Sequence, residues 1–81
     1  MVFSSPCNPT GSVFSAKELA AIAEVAVRKN ILVIADEIYE LINFTGERVS
    51  IASLPGMFER TITVNGFAKG FAMTGWRVGY I

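Results

Sequence analysis

Residues 15–36 read SAKELAAIAEVAVRKNILVIAD, and the two halves of that stretch demand different elements. Ser15 and Glu18 have the S-x-x-E spacing of a capping box, and Phe14, just before the cap, is placed to staple onto Leu19. Leu19, Ile22, Ala23, Ala26 and Val27 follow the i, i+3, i+4, i+7, i+8 pattern of one helix face. Arg28, Lys29 and Asn30 suit a helix C-terminus. Ile31-Leu-Val-Ile-Ala35 is then a continuous aliphatic run of strand length. Its lack of alternation predicts a strand buried on both faces, as in a parallel sheet covered by helices.

Outward from this unit, Met1 to Ser5 is extended in character. Pro6-Cys-Asn-Pro-Thr-Gly11 packs two prolines and a glycine into six residues and reads as a loop. Strand, helix and strand with a short helix-to-strand connection make a βαβ unit, whose strands are expected to be parallel. Residues 41–60 are less regular, with a turn at Thr45-Gly46, one helical turn over Ser50 to Leu54, and a break at Pro55-Gly56. Thr61-Ile-Thr-Val64 reads as a third strand. Asn65 to Gly75 is glycine-punctuated, and Trp76 to Ile81 reads as a fourth strand. The expected fold class is α/β: part of a mostly parallel sheet with covering helices and one antiparallel strand.

The composition bounds the rest. The 81 residues carry seven Lys and Arg against seven Asp and Glu, with no His; 52% are apolar and 17% charged. A chain this short has much surface for its volume and is expected to be more polar than that. The excess, together with a last strand that no stop signal closes, leads us to expect a fragment of a larger domain. No apolar run approaches the roughly 20 residues of a membrane span. No signal-peptide pattern opens the chain, so a cytoplasmic location is expected. A single cysteine, Cys7, allows no internal disulfide, and no Cys/His set could build a zinc site. Balanced charge without a basic cluster argues against nucleic acid as a partner.

In open α/β sheets, ligands bind beyond the carboxyl ends of the strands. The loops at those ends are Pro6 to Gly11, Asp36 to Glu40 and Asn65 to Gly75. If the fourth strand returns antiparallel, its start lies at the same edge. Asn8, Asp36, Tyr39, Lys69 and Arg77 then converge there from four segments. Each also has a plainer reading: Asp36 as a turn or cap residue, Tyr39 as a core aromatic, Asn8 as turn chemistry, Lys69 as a solvated charge. Arg77 resists one, because a guanidinium buried in an apolar strand needs an anionic partner. Glu37 and Glu40 read as solvated or capping residues, Cys7 as packing, and Met73 and Trp76 as core. Ile31 to Glu37 alone also has the form of a Walker B strand, whose carboxylates handle magnesium in nucleotide hydrolases. That reading needs a phosphate loop upstream and leaves Lys69 and Arg77 unexplained.

As a set, NPTG at 8–11, ADEIYE at 35–40 and NGFAKGFAMTGWRVGY at 65–80 resemble the class I/II aminotransferases, pyridoxal 5′-phosphate enzymes of fold type I. The likeness covers the whole chain and is strongest to the bacterial aspartate aminotransferase subgroup. It implies that Lys69 forms a Schiff base with the cofactor and shuttles a proton. It implies that Asp36 faces the pyridine nitrogen and favours the protonated, electron-accepting ring. Tyr39 and Asn8 would hydrogen-bond the cofactor's phenolic oxygen, and Arg77 would anchor its phosphate. A cis bond at Asn8-Pro9 is also implied. Many relatives carry a serine three residues before the lysine, whereas here the position is Gly66, and the residue next to the lysine is Ala68; no side-chain role is assigned to either.

The resemblance further implies transamination between an amino acid and a 2-oxo acid, of the aspartate/2-oxoglutarate type, in a homodimer. Decarboxylases, lyases and synthases that share the framework are the alternative, as is a non-catalytic member of the fold. The remainder of the large domain and the small domain are expected to lie outside residues 1–81, and the piece alone is expected to be inactive.

Overall fold

A computed structural model describes all 81 residues. The helix forms where the capping box puts it. Helix α1 spans Ala16–Arg28, and Ser15 and Glu18 cap each other reciprocally: the Ser15 backbone N–H donates to Glu18 Oε2 at 2.8 Å, and the Ser15 hydroxyl accepts from the Glu18 backbone. Those bonds, the one from the Ser15 backbone foremost, hold the Glu18 carboxyl below its ordinary range. Phe14 packs edge-on against Phe3, with ring centroids 5.5 Å apart. The apolar stripe of α1 buries Leu19, Ala23 and Ala26.

Four strands, β1 (Val2–Ser4), β2 (Val33–Asp36), β3 (Thr61–Gly66) and β4 (Gly79–Tyr80), form one sheet in the order β1-β2-β3-β4. β1, β2 and β3 run parallel, with Ser4 opposite Asp36 and Asp36 opposite Val64, so β1 and β2 end level and β3 runs two residues further at the same edge. β4 returns antiparallel, pairing Asn65 with Tyr80 and Gly66 with Gly79. The expected mostly parallel α/β arrangement is therefore present. Between β2 and β3 the chain makes three short 3₁₀ turns, at Glu40–Ile42, Ile51–Ser53 and Phe58–Arg60. The second coincides with the helical turn expected at Ser50 to Leu54.

The core lies between α1 and one face of the sheet. Val33 and Ala35 of β2 are fully buried there, in one cluster with Leu19, Ala23, Ala26, Ile51 and Met57. The expectation that β2 is buried on both faces is not met within these residues: Ile34 is 37% exposed. Side chains alternate along a strand, so Ile34 points away from α1, in a cross-strand row with Val2 and Ile62, both also exposed. Asp36, two residues on, shares that uncovered face.

Two further differences concern the end of the chain. The fourth strand begins at Gly79, not Trp76. Thr74–Trp76 form a 3₁₀ turn, and Arg77 after it is left-handed (φ 53°, ψ 45°), a conformation that breaks the strand. Trp76 is not core but 71% exposed, because the 3₁₀ turn and the left-handed residue carry it off the sheet. The β3–β4 approach is close: a Cβ on Gly66 would stand 2.9 Å from the Val78 carbonyl oxygen and 3.1 Å from the Gly79 Cα. Position 66 thus admits no serine without parting the strands.

Candidate active site

Because β1 to β3 are parallel and end at one edge of the sheet, the loops leaving them meet. The first, after β1, turns through cis peptide bonds at Ser5-Pro6 and Asn8-Pro9; the second of these was expected. Asn8 Nδ2 donates to the Tyr39 hydroxyl at 3.4 Å. Tyr39 comes after β2 and leads into the Glu40–Ile42 turn. The Lys69 ammonium, from the loop after β3, lies 5.8 Å from the centroid of the Tyr39 ring, within cation–π range. Three loops thus bring an amide, a phenol and an amine together. Cys7, Asn8, Pro9, Tyr39 and Phe44 line a cleft of about 390 Å³ beside them.

Asp36 is the last residue of β2. One carboxylate oxygen, Oδ1, accepts from the Ile38 N–H at 3.1 Å, which is the turn-forming role of its plainer reading. Arg77 precedes β4 at the same edge, as the antiparallel return requires. Its surroundings differ from those expected. The guanidinium is exposed rather than buried in an apolar strand, and Nη1 donates to the Thr74 carbonyl at 3.0 Å within its own loop. The one ion pair in the chain is Arg28 with Glu24 on the surface of α1. Neither Lys69 nor Arg77 is neutralised by a carboxylate, and Asp36 is not neutralised by a cation.

Sequence reasoning missed the polar network behind this cluster. Glu37 and Glu40 are not free solvated groups. Ser50 Oγ donates to Glu37 Oε1 at 2.7 Å, and Asn65 Nδ2 donates to Glu40 Oε1 at 2.7 Å. Asn65 is itself buried, at 8% exposure. The available signal was a lone polar residue continuing the β3 run. Leu41 packs on Gly70, where a Cβ would meet the Leu41 side chain at 2.6 Å. The Tyr39 turn is therefore tied to the Lys69 loop on either side of the amine.

Desolvation is the main influence on Glu37: it raises the carboxyl above its ordinary range. The Glu40 charge adds to this and the Ser50 hydrogen bond opposes it. An acid raised in the folded state binds protons more readily there than when unfolded. Its stabilising contribution is complete below the unfolded value of 4.5 and is lost as pH rises through the folded value. Glu37→Gln keeps an acceptor for Ser50 and has no charge to desolvate. Its thermal unfolding midpoint is expected to match the parent at acid pH and to exceed it at neutral pH; a lower midpoint at neutral pH would contradict the assignment.

The family described as aminotransferase class I and II matches residues 1–81. An aspartate aminotransferase of Pyrococcus abyssi is 57% identical over 82 aligned positions, taking in all of this chain and 21% of the relative. The solved aromatic aminotransferase of Pyrococcus horikoshii superposes with a TM-score of 0.91 at 58% identity, over 96% of this chain and 21% of that one. The N-succinyldiaminopimelate aminotransferase of Mycobacterium tuberculosis does so with a TM-score of 0.91 at 53% identity, over 96% and 21%. The chain spans about a fifth of the length of the relatives it matches. The match takes in residues 31–37 whole, and with them the strand that resembled Walker B. By sequence and by fold, the chain belongs to the class I and II aminotransferases, a family dependent on pyridoxal 5′-phosphate.

Proposed function

We propose that residues 1–81 are part of the large domain of a longer enzyme that moves an amino group between an amino acid and a 2-oxo acid. Asn8, Asp36, Tyr39, Lys69 and Arg77 would hold its pyridoxal 5′-phosphate. The observation that carries this reading is the stacking of the Lys69 ammonium over Tyr39, whose hydroxyl takes a hydrogen bond from Asn8. The donor set fits the group. Pyridoxal phosphate offers an aldehyde, a basic ring nitrogen, a phenolic oxygen and a dianionic phosphate. The residues at this edge offer an amine, a carboxylate with one oxygen unengaged by protein donors, a phenol with an amide, and an unneutralised guanidinium.

When bound, the cofactor's protonated ring supplies an electron sink for the charge left on the substrate α-carbon. The chain's own residues do the rest. Lys69 would hold the cofactor through Nζ and would take and return the α-proton at that same nitrogen. Asp36 carries the negative charge that keeps the ring nitrogen protonated. Tyr39 and Asn8 orient the phenolic side, and Tyr39 also limits the positions open to the amine. Arg77 offers a planar fork suited to two phosphate oxygens.

Aspartate with 2-oxoglutarate is the proposed substrate pair, supported by the resemblance to the aspartate aminotransferase subgroup and by the Pyrococcus abyssi relative. A cytoplasmic homodimer is the proposed form; no helix is long and apolar enough to cross a membrane. The test is a panel of amino acids and 2-oxo acids offered to the full-length protein loaded with cofactor. Amino transfer from aspartate to 2-oxoglutarate at the highest kcat/KM is expected. Transfer from another donor at higher kcat/KM would move the specificity, and no transfer from any donor would overturn the reading.

A further inference from the structure

Asn65 is the buried polar residue of this fold, and both ends of its amide are engaged. Nδ2 donates to Glu40 Oε1 at 2.7 Å, and Oδ1 accepts from the Gly66 N–H at 2.8 Å. The first bond joins positions 25 residues apart. Glu40 directly follows Tyr39, and Lys69 lies four residues beyond Asn65. The backbone at 65 and 66 cannot drift to compensate, because Asn65 pairs with Tyr80 and the chain at Gly66 lies against the Val78 carbonyl. The amide therefore joins a fixed strand end to the turn that carries the aromatic ring.

We propose that Asn65 is a positioning residue which, through Glu40, holds the Tyr39 ring beneath the Lys69 amine. This rests on the proposed role of Lys69, but it can fail separately. A leucine at 65 would leave the Glu40 carboxylate facing an apolar side chain with its donor gone. An aspartate would set two carboxylates against each other while keeping the acceptor for Gly66. Either change loosens Tyr39 without touching any group that would contact cofactor or substrate.

The test uses the full-length protein with two variants, Asn65→Asp and the exchange Asn65→Asp with Glu40→Gln. The exchange puts the amide on the other partner and restores a donor–acceptor pair between the same two positions. The first readout is taken without cofactor: the rate at which an amine-specific reagent modifies Lys69, followed by mass spectrometry. Asn65→Asp is expected to raise it about threefold, the size of one exposed cation–π contact. The second is kcat with the best substrate pair, expected to fall about tenfold, the size of one hydrogen bond to a charged group. KM should stay within about twofold, because the effect falls on the amine rather than on substrate binding. The exchange is expected to bring both readouts back to within about twofold of the parent. An unchanged labelling rate in Asn65→Asp, or an exchange variant no nearer the parent than the single one, would overturn the positioning role. If Asn65→Asp does not fold, the exchange variant decides alone: parental labelling and kcat support the pairing, and a misfolded or fast-labelling protein refutes it. A parent without amino transfer would instead overturn the proposed function and leave the labelling comparison to stand by itself.

Discussion

Lys69→Ala in the full-length protein is expected to abolish the cofactor adduct that borohydride reduction fixes in the parent, and to lower kcat by at least about a thousandfold. Two losses combine. The nitrogen that attaches the cofactor is gone, and so is the base that moves the α-proton. Proton transfer by a placed side chain contributes about a hundred- to ten-thousandfold alone. Structural collapse is not a rival explanation: Lys69 makes no side-chain hydrogen bond or ion pair in the fold, and its one contact of note is with the Tyr39 ring. Intact protein mass after reduction and single-turnover rates check the two parts. A reduced adduct of parental yield in Lys69→Ala would sink the assignment, whatever the rate.

Asp36→Asn is expected to lower kcat by about a hundredfold, equivalent to two pK units at the group it faces. The substitution is chosen for what it preserves. Asp36 Oδ1 accepts from the Ile38 N–H, and an asparagine oxygen can accept the same bond, so the turn into Tyr39 survives. The charge disappears, at a position on the sheet face that α1 leaves uncovered. Asp36→Glu retains the charge on a longer stem and is expected to fall between the two. Steady-state kcat and a cofactor-binding titration distinguish lost chemistry from lost affinity. An Asp36→Asn enzyme within about twofold of the parent would reduce Asp36 to a turn residue.

The parts legible in the sequence were those set by neighbours in the chain. The Ser15/Glu18 box, the α1 stripe and the aliphatic run of β2 depend on spacings of a few residues; the box stands as read, the stripe stands except for its last member Val27, which is exposed, and the strand forms only from Val33 onward. The site loops were legible for a related reason: strands of a βαβ unit end on one edge, so the loops leaving them must meet there. The contacts between those loops were not legible. Asn65 reaches Glu40 because β2 and β3 pair in one register, and Gly66 abuts Val78 because β4 returns in another, and no local pattern encodes a register. Arg77 shows the same limit. Its residue type and place at the edge could be read, but Trp76-Arg77-Val78 looks like strand, and its left-handed turn is set by the loop that precedes it. The both-face burial expected for β2 came from a rule about whole sheets, and these 81 residues supply one helix for one face.

The strand order has a consequence for how such a site comes into being. Each of the four strands lies beside the one made just before it, so a chain leaving the ribosome can add strands to a growing edge without parting any already joined. Asn8 would be in hand first, Asp36 and Tyr39 next, and the reactive amine, followed by Arg77, after them. Until that final loop arrives there is no primary amine over the ring to condense with a stray aldehyde. Synthesis in this order keeps the most reactive group of the site out of it until Asn8, Asp36 and Tyr39 have been laid down.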